Sequence, residues 1–175
     1  MIFDTDEFLV PIAKENIPEL LKSYEKDKRI GGICFIWSFF GTSNVYRIPE
    51  GQLLIETLIM HSGPANGGDI NAIWQNGSYK SIVRPKYVSS VPSPHFCNYK
   101  GKRKHLLENY EIAHINHYWT RDQFFMETHK IPRRELWGQS AESVREWEAQ
   151  MNQRCDDNPI LRFVSLLREN MNMTK

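Results

Sequence analysis

The run Ile33-Cys34-Phe35-Ile36-Trp37-Ser38-Phe39-Phe40 constrains the fold more than any other segment. It is almost wholly apolar, stops at Gly41, and follows Gly31-Gly32, which reads as a break in the chain. A strand of this composition has no polar face to give to water, so it belongs in a sheet covered on both sides. It would deliver Trp37 to Phe40 to an edge or a cleft. Helices to cover such a sheet are legible nearby. Asn16 can cap one that carries Ile17, Leu20, Leu21 and Tyr24 at helical spacing, with Pro18 in its first turn. Ser140 can cap another reaching to about Asn152, and Asn158-Pro159 opens a last one through Leu161, Val164, Leu166 and Leu167. The fold class that follows is mixed α/β.

Between these elements the chain is punctuated. Leu53 to Met60 fits helix or strand, and His61 to Gly68 is a breaker cluster that reads as a mobile loop. Pro85, Pro92 and Pro94 imply short strands joined by rigid turns. Tyr110 to Trp119 alternates as a strand that releases His117 near its end, and Thr120-Arg121-Asp122-Gln123 has a capping-box pattern ahead of Phe124 and Phe125.

Charge and cysteine usage remove several function classes. Twenty-two Lys and Arg against twenty-one Asp and Glu leave a net charge of +1, so no global field recruits nucleic acid or an anionic membrane. The local basic stretch Lys100-Gly101-Lys102-Arg103-Lys104-His105 reads as a solvated loop or as a contact for lipid phosphate or a polyanionic glycan, which leaves peripheral membrane association open. Cys34, Cys97 and Cys155 are widely spaced and form no C-x-x-C pair, which argues against a disulfide framework and a cysteine zinc site. No apolar leader opens the sequence and no run approaches the roughly 18 apolar residues of a membrane span. The expected setting is cytoplasmic.

The chemistry concentrates at the start. Met1-Ile2-Phe3 runs into Asp4-Thr5-Asp6-Glu7, placing two carboxylates one residue apart at the expected carboxyl end of a strand. In an extended segment they face the same side and can share a hard divalent cation, one of them through water, and such an ion grips phosphate oxygens. The bland reading is a capped turn in which both aspartates bond backbone amides. Haloacid-dehalogenase-like phosphatases also place an Asp-x-Asp after an early strand, the first Asp acting as nucleophile. Their motif continues with Thr or Val where Phe8 stands here, and Asp156-Asp157 precede a capped helix rather than forming a Gly-Asp loop.

A further likeness covers residues 1 to about 135. Asp4-Thr5-Asp6-Glu7-Phe8-Leu9, Trp37-Ser38-Phe39-Phe40-Gly41-Thr42-Ser43, Lys80-Ser81-Ile82-Val83-Arg84-Pro85, Pro94-His95 and Ile115-Asn116-His117-Tyr118-Trp119-Thr120-Arg121-Asp122 together resemble the family 2 and family 92-like glycosyltransferases of GT-A fold. The resemblance implies the C-terminal part of a Rossmann-like, mixed-sheet GT-A domain over 1–135, followed by a helical extension over 136–175. It implies sugar transfer from a nucleotide-sugar donor to a glycan or lipid-linked acceptor, with Mn²⁺ or Mg²⁺ on the donor diphosphate. Asp4, Asp6 and His117 match the metal positions. Trp37, Phe40 and Gly41 border the acceptor side, and His95 lines the same cleft or takes the place of His117. The resemblance marks no acceptor base; Glu56 and Asp69 are candidates. It also implies that roughly a hundred residues of βαβ units, at about thirty residues each, should precede Asp4. Without them the chain reads as a truncated or mis-started enzyme or, alternatively, as a non-catalytic remnant or binding module.

Overall fold

A computed structural model describes residues 3–156 and 158–173; Met1-Ile2 of the opening apolar run and Asp157 of the Asp-Asp pair lie outside them. The chain runs β1 (Glu7–Pro11), α1 (Ile17–Lys22), β2 (Ile30–Phe40), α2 (Leu54–Thr57), β3 (His61–Pro64), α3 (Ile70–Asn76), β4 (Tyr79–Val83), β5 (Val88–Ser90), β6 (Asn98–Tyr99), β7 (Lys104–Leu107) and β8 (Ala113–His117). Helices α4 (Gln123–Phe125), α5 (Ile131–Glu135), α6 (Ala141–Met151) and α7 (Val164–Asn170) follow. The fold is mixed α/β with C-terminal helices, as the sequence implies.

The apolar run is the middle of β2, and β2 organises a mixed sheet. It lies beside β8, pairs antiparallel with β4 and parallel with β7, and β8 in turn pairs antiparallel with β1. Two compact units divide the chain, one of Met1–Ser38 with Pro64–His117, the other of Phe39–Gly63 with Tyr118–Lys175.

In the first unit, Leu20 of α1, Ile33 and Phe35 of β2, and Ala113 and Ile115 of β8 form a buried cluster, with Leu9, Tyr24 and Ile82 packed against it. The cap on α1 is made as its residue types suggest: the Asn16 side chain accepts the Glu19 N–H at 2.9 Å. Each fully buried aliphatic or aromatic side chain in such a cluster contributes roughly 1.5–3 kcal/mol. The second unit has its own cluster of Trp119, Met126, Ile131, Val144 and Met151, and Ser140 caps α6 by accepting the Ser143 N–H at 3.1 Å.

Three local expectations change and one ambiguity is resolved. Gly31-Gly32 does not break the chain but lies inside β2, because the Tyr99 ring packs where side chains would stand; a Cβ at Gly31 would meet it at 2.5 Å. The breaker cluster after Met60 begins with β3, and His61 bridges to Arg154 through paired backbone hydrogen bonds of 2.9 and 3.0 Å. The ambiguous Leu53–Met60 segment contains the short helix α2. The helix after β8 is capped by Asp122, which accepts the Phe125 N–H at 2.8 Å, whereas the Thr120 hydroxyl bonds the Phe40 and Arg121 carbonyls.

Candidate active site

The register of β1 on β8 builds the site. Glu7 lies opposite His117, so the residues entering β1 stand beside the end of β8. The Glu7 N–H donates to the Asp4 carbonyl at 3.2 Å and closes a turn that holds Asp6. Within the described residues the Asp-x-Asp motif is a turn leading into β1; the strand expected ahead of it falls mostly on Met1 and Ile2, outside them. Asp6 Oδ1 comes within 4.0 Å of His117 Nε2, with both side chains largely buried. Adjacent donors of an octahedral ion lie about 3.0 Å apart, so the two side chains would share one cation after closing by about 1 Å.

Asp4 turns to a different partner. Its Oδ2 accepts from Lys80 Nζ at 3.1 Å, and the same ammonium lies 3.4 Å from Glu7 Oε2. The Lys80 side chain is 1 % exposed and that of Glu7 fully buried, whereas Asp4 is 67 % exposed. Glu7 Oε2 also accepts the Asp4 N–H at 3.2 Å, and its other carboxyl oxygen has no hydrogen-bond partner among the described residues. Burial drives the Glu7 carboxyl up to about 7; the Asp4 amide and the Lys80 charge pull it part of the way back.

Trp37 joins these groups to a cavity wall. Its ring centroid is 4.6 Å from that of His117 and 5.3 Å from that of His95, and Lys80 Nζ lies 6.0 Å from it. His95 is fixed by three hydrogen bonds: Nδ1 donates to the Tyr79 carbonyl at 3.0 Å, the amide to Ser93 Oγ at 3.0 Å, and the carbonyl accepts from Ser81 Oγ at 2.6 Å. His95 also lines a cavity of about 320 Å³ whose other walls include Val83, Val88, Val91 and Phe96.

Asp4, Asp6, Trp37, His95 and His117 thus come together in the first unit. Phe40 and Gly41 belong to the second. There Phe40 is buried between Tyr118 and His61, and a Cβ at Gly41 would collide with the Asn152 side chain. Glu56, in the second unit, closes the first turn of α2 through the Leu53 N–H at 2.9 Å and forms a two-pronged pair with Arg168, which holds its carboxyl below the ordinary range. A carboxylate held there is a weaker base. Asp69 caps α3, accepting the Asn71 N–H at 2.9 Å.

Glu7 and Lys80 are the residues that sequence reasoning missed. The available signal was a charge inside an otherwise strand-like run, Glu7-Phe8-Leu9-Val10 and Tyr79-Lys80-Ser81-Ile82-Val83. Such a charge is normally placed on a solvated face.

Among the described residues, no three His, Cys, Asp or Glu side chains converge as a ready-made metal cage. The donor set nevertheless fits an ion of the Mg²⁺ or Mn²⁺ kind, which takes one or two carboxylates from protein and completes its shell with water and substrate phosphate. No helix among the described residues is long and apolar enough to cross a membrane. A family model described as glycosyltransferase family 92 matches residues 1–159. Neither the curated proteins nor the solved structures contain a match to this chain. The match takes in the turn into β1, β2, β4 and the end of β8, the segments that assemble the site, and the chain belongs to glycosyltransferase family 92.

Proposed function

We propose that the first unit holds the donor-diphosphate clamp of a GT-A-type glycosyltransferase, which moves a sugar from a nucleotide-sugar to a glycan or lipid-linked acceptor. The observation that carries this reading is the approach of Asp6 to His117 at 4.0 Å, brought about by the β1–β8 register in a family 92 chain. Asp6 and His117 would hold Mn²⁺ or Mg²⁺, with Asp4 beside them. The ion's chemistry is to offset the charge that develops on the departing nucleotide diphosphate.

The remaining roles fall to side chains. Trp37 offers an aromatic face beside the clamp, the kind of surface on which a sugar or base ring stacks. His95 stands behind it and shapes the acceptor side where the cavity begins. Phe40 and Gly41 support the end of β2 through their packing in the second unit. In this reading residues 1–135 carry the transferase chemistry and 136–175 form a helical extension, and the setting is cytoplasmic.

Thermal unfolding with Mn²⁺ and a panel of nucleotide-sugars tests the reading. A donor that stabilises the wild-type chain only when Mn²⁺ is present, and that no longer does so in Asp6→Asn, supports it. Absence of any shift across the panel would instead favour a binding module without transferase activity.

A further inference from the structure

Lys80 is the least expected member of the site. A buried lysine is tolerated only when its charge is matched. Lys80 has two carboxylates within reach, Asp4 at 3.1 Å and Glu7 at 3.4 Å, and Glu7 is itself buried. The two differ in freedom. Glu7 is fixed within β1, whereas Asp4 is 67 % exposed, belongs to the turn ahead of the strand, and points its Oδ2 inward at the ammonium. Asp6, two residues on, points instead at His117. The motif's two carboxylates are thus split between an internal cation and a metal-type donor.

We propose that Lys80 is a positioning residue that withholds Asp4 from a divalent ion, so that metal alone is held by Asp6 and His117 and binds weakly. The inference rests on the clamp reading above and adds how its affinity is set. A divalent ion that drew on Asp4 Oδ2 would have to take it from Lys80, leaving a buried ammonium with Glu7 alone, and one that used Oδ1 would sit close to that ammonium's charge. The shared use of Trp37, flanked by His117 at 4.6 Å and by Lys80 at 6.0 Å, keeps the ammonium and the metal-type donor near each other. Diphosphate oxygens supply the ligands that the protein withholds, so tight metal binding becomes conditional on the donor.

The test is a titration with Mn²⁺ alone, followed by the loss of the free-ion electron paramagnetic resonance signal. Lys80→Met should bind Mn²⁺ at least tenfold more tightly than wild type, and Lys80→Arg should stay within threefold of it. Adding Asp4→Asn to Lys80→Met should erase the gain. Asp4→Asn by itself should change affinity less than threefold, an outcome that can be read even if Lys80→Met does not fold. An unchanged or weaker Lys80→Met, a gain that survives in the double variant, or a tenfold loss in Asp4→Asn alone would each overturn the inference. Asp6→Asn and His117→Ala, run alongside, separate it from the underlying reading. If neither lowers Mn²⁺ affinity, the clamp itself is wrong; if both do while Lys80→Met is unchanged, only the role of Lys80 fails.

Discussion

Both units hold acids that are at least half buried, but they use them differently. In the second unit Glu148, Glu56 and Asp122 are each matched to partners. Glu148 Oε1 accepts from the Thr42 hydroxyl at 2.6 Å and from the Asn152 amide, Glu56 pairs with Arg168, and Asp122 accepts two backbone amides, those of Phe125 and Ile48. These are local fasteners, and where a shift occurs, as at Glu56, it is downward. In the first unit Glu7 is buried with one oxygen unpartnered among the described residues and its carboxyl pushed up, and Asp4 and Lys80 lie against it. Burying charge that is incompletely matched costs stability, and such arrangements concentrate where chemistry needs them. The contrast narrows the acids to suspect to those the fold fails to satisfy, Glu7 and also Glu108, and of these only Glu7 lies against Lys80 and Asp4.

Glu7→Gln breaks this contrast most strongly. The folded carboxyl ionises at about 7 and its ordinary value is 4.5, so the folded chain keeps a proton that the unfolded chain has released between those values. That contribution to stability is fully present below the lower value and is lost as pH rises through the upper one, about 3 kcal/mol in all. In metal-free buffer, urea unfolding at pH 5 and pH 8 should show wild type losing about 2.5 kcal/mol more stability than Glu7→Gln, since part of the contribution is already gone at pH 5. Equal losses would mean that Glu7 is as well satisfied as Glu148.

Glu148→Ala probes the other side. Removing the acceptor shared by Thr42 and Asn152 should cost about 2 kcal/mol in urea unfolding, while Mn²⁺ affinity stays within twofold of wild type. A large loss of Mn²⁺ binding in a folded Glu148→Ala would dissolve the distinction between fastener and clamp. The smallest effect is expected at Asp69→Ala, which loses the cap of α3 and about 1 kcal/mol, read as a lower melting temperature. Loss of sugar transfer with that modest destabilisation would instead make Asp69 the acceptor base.

The parts of the fold that rest on local rules were legible in the sequence. The apolar run became β2, and the Asn16 and Ser140 caps formed with the partners their positions imply. What was illegible depended on distant residues. Gly31-Gly32 reads as a break until Tyr99 is seen packed against it, and His61 reads as loop until Arg154 pairs with its backbone. The site divides in the same way. Asp4, Asp6 and His117 could be named from motif order, but the pairing of Asp4 with Lys80 depends on where β4 lies relative to the turn before β1, and no spacing rule encodes that.

The central claim is that Asp6 and His117 hold a divalent ion, and the most direct measurement is anomalous diffraction from crystals of the chain soaked in Mn²⁺ without donor. A manganese peak is expected within about 2.0–2.4 Å of the Asp6 carboxylate and His117 Nε2, with Asp4 still on Lys80. A peak elsewhere, or none at saturating Mn²⁺, would contradict it.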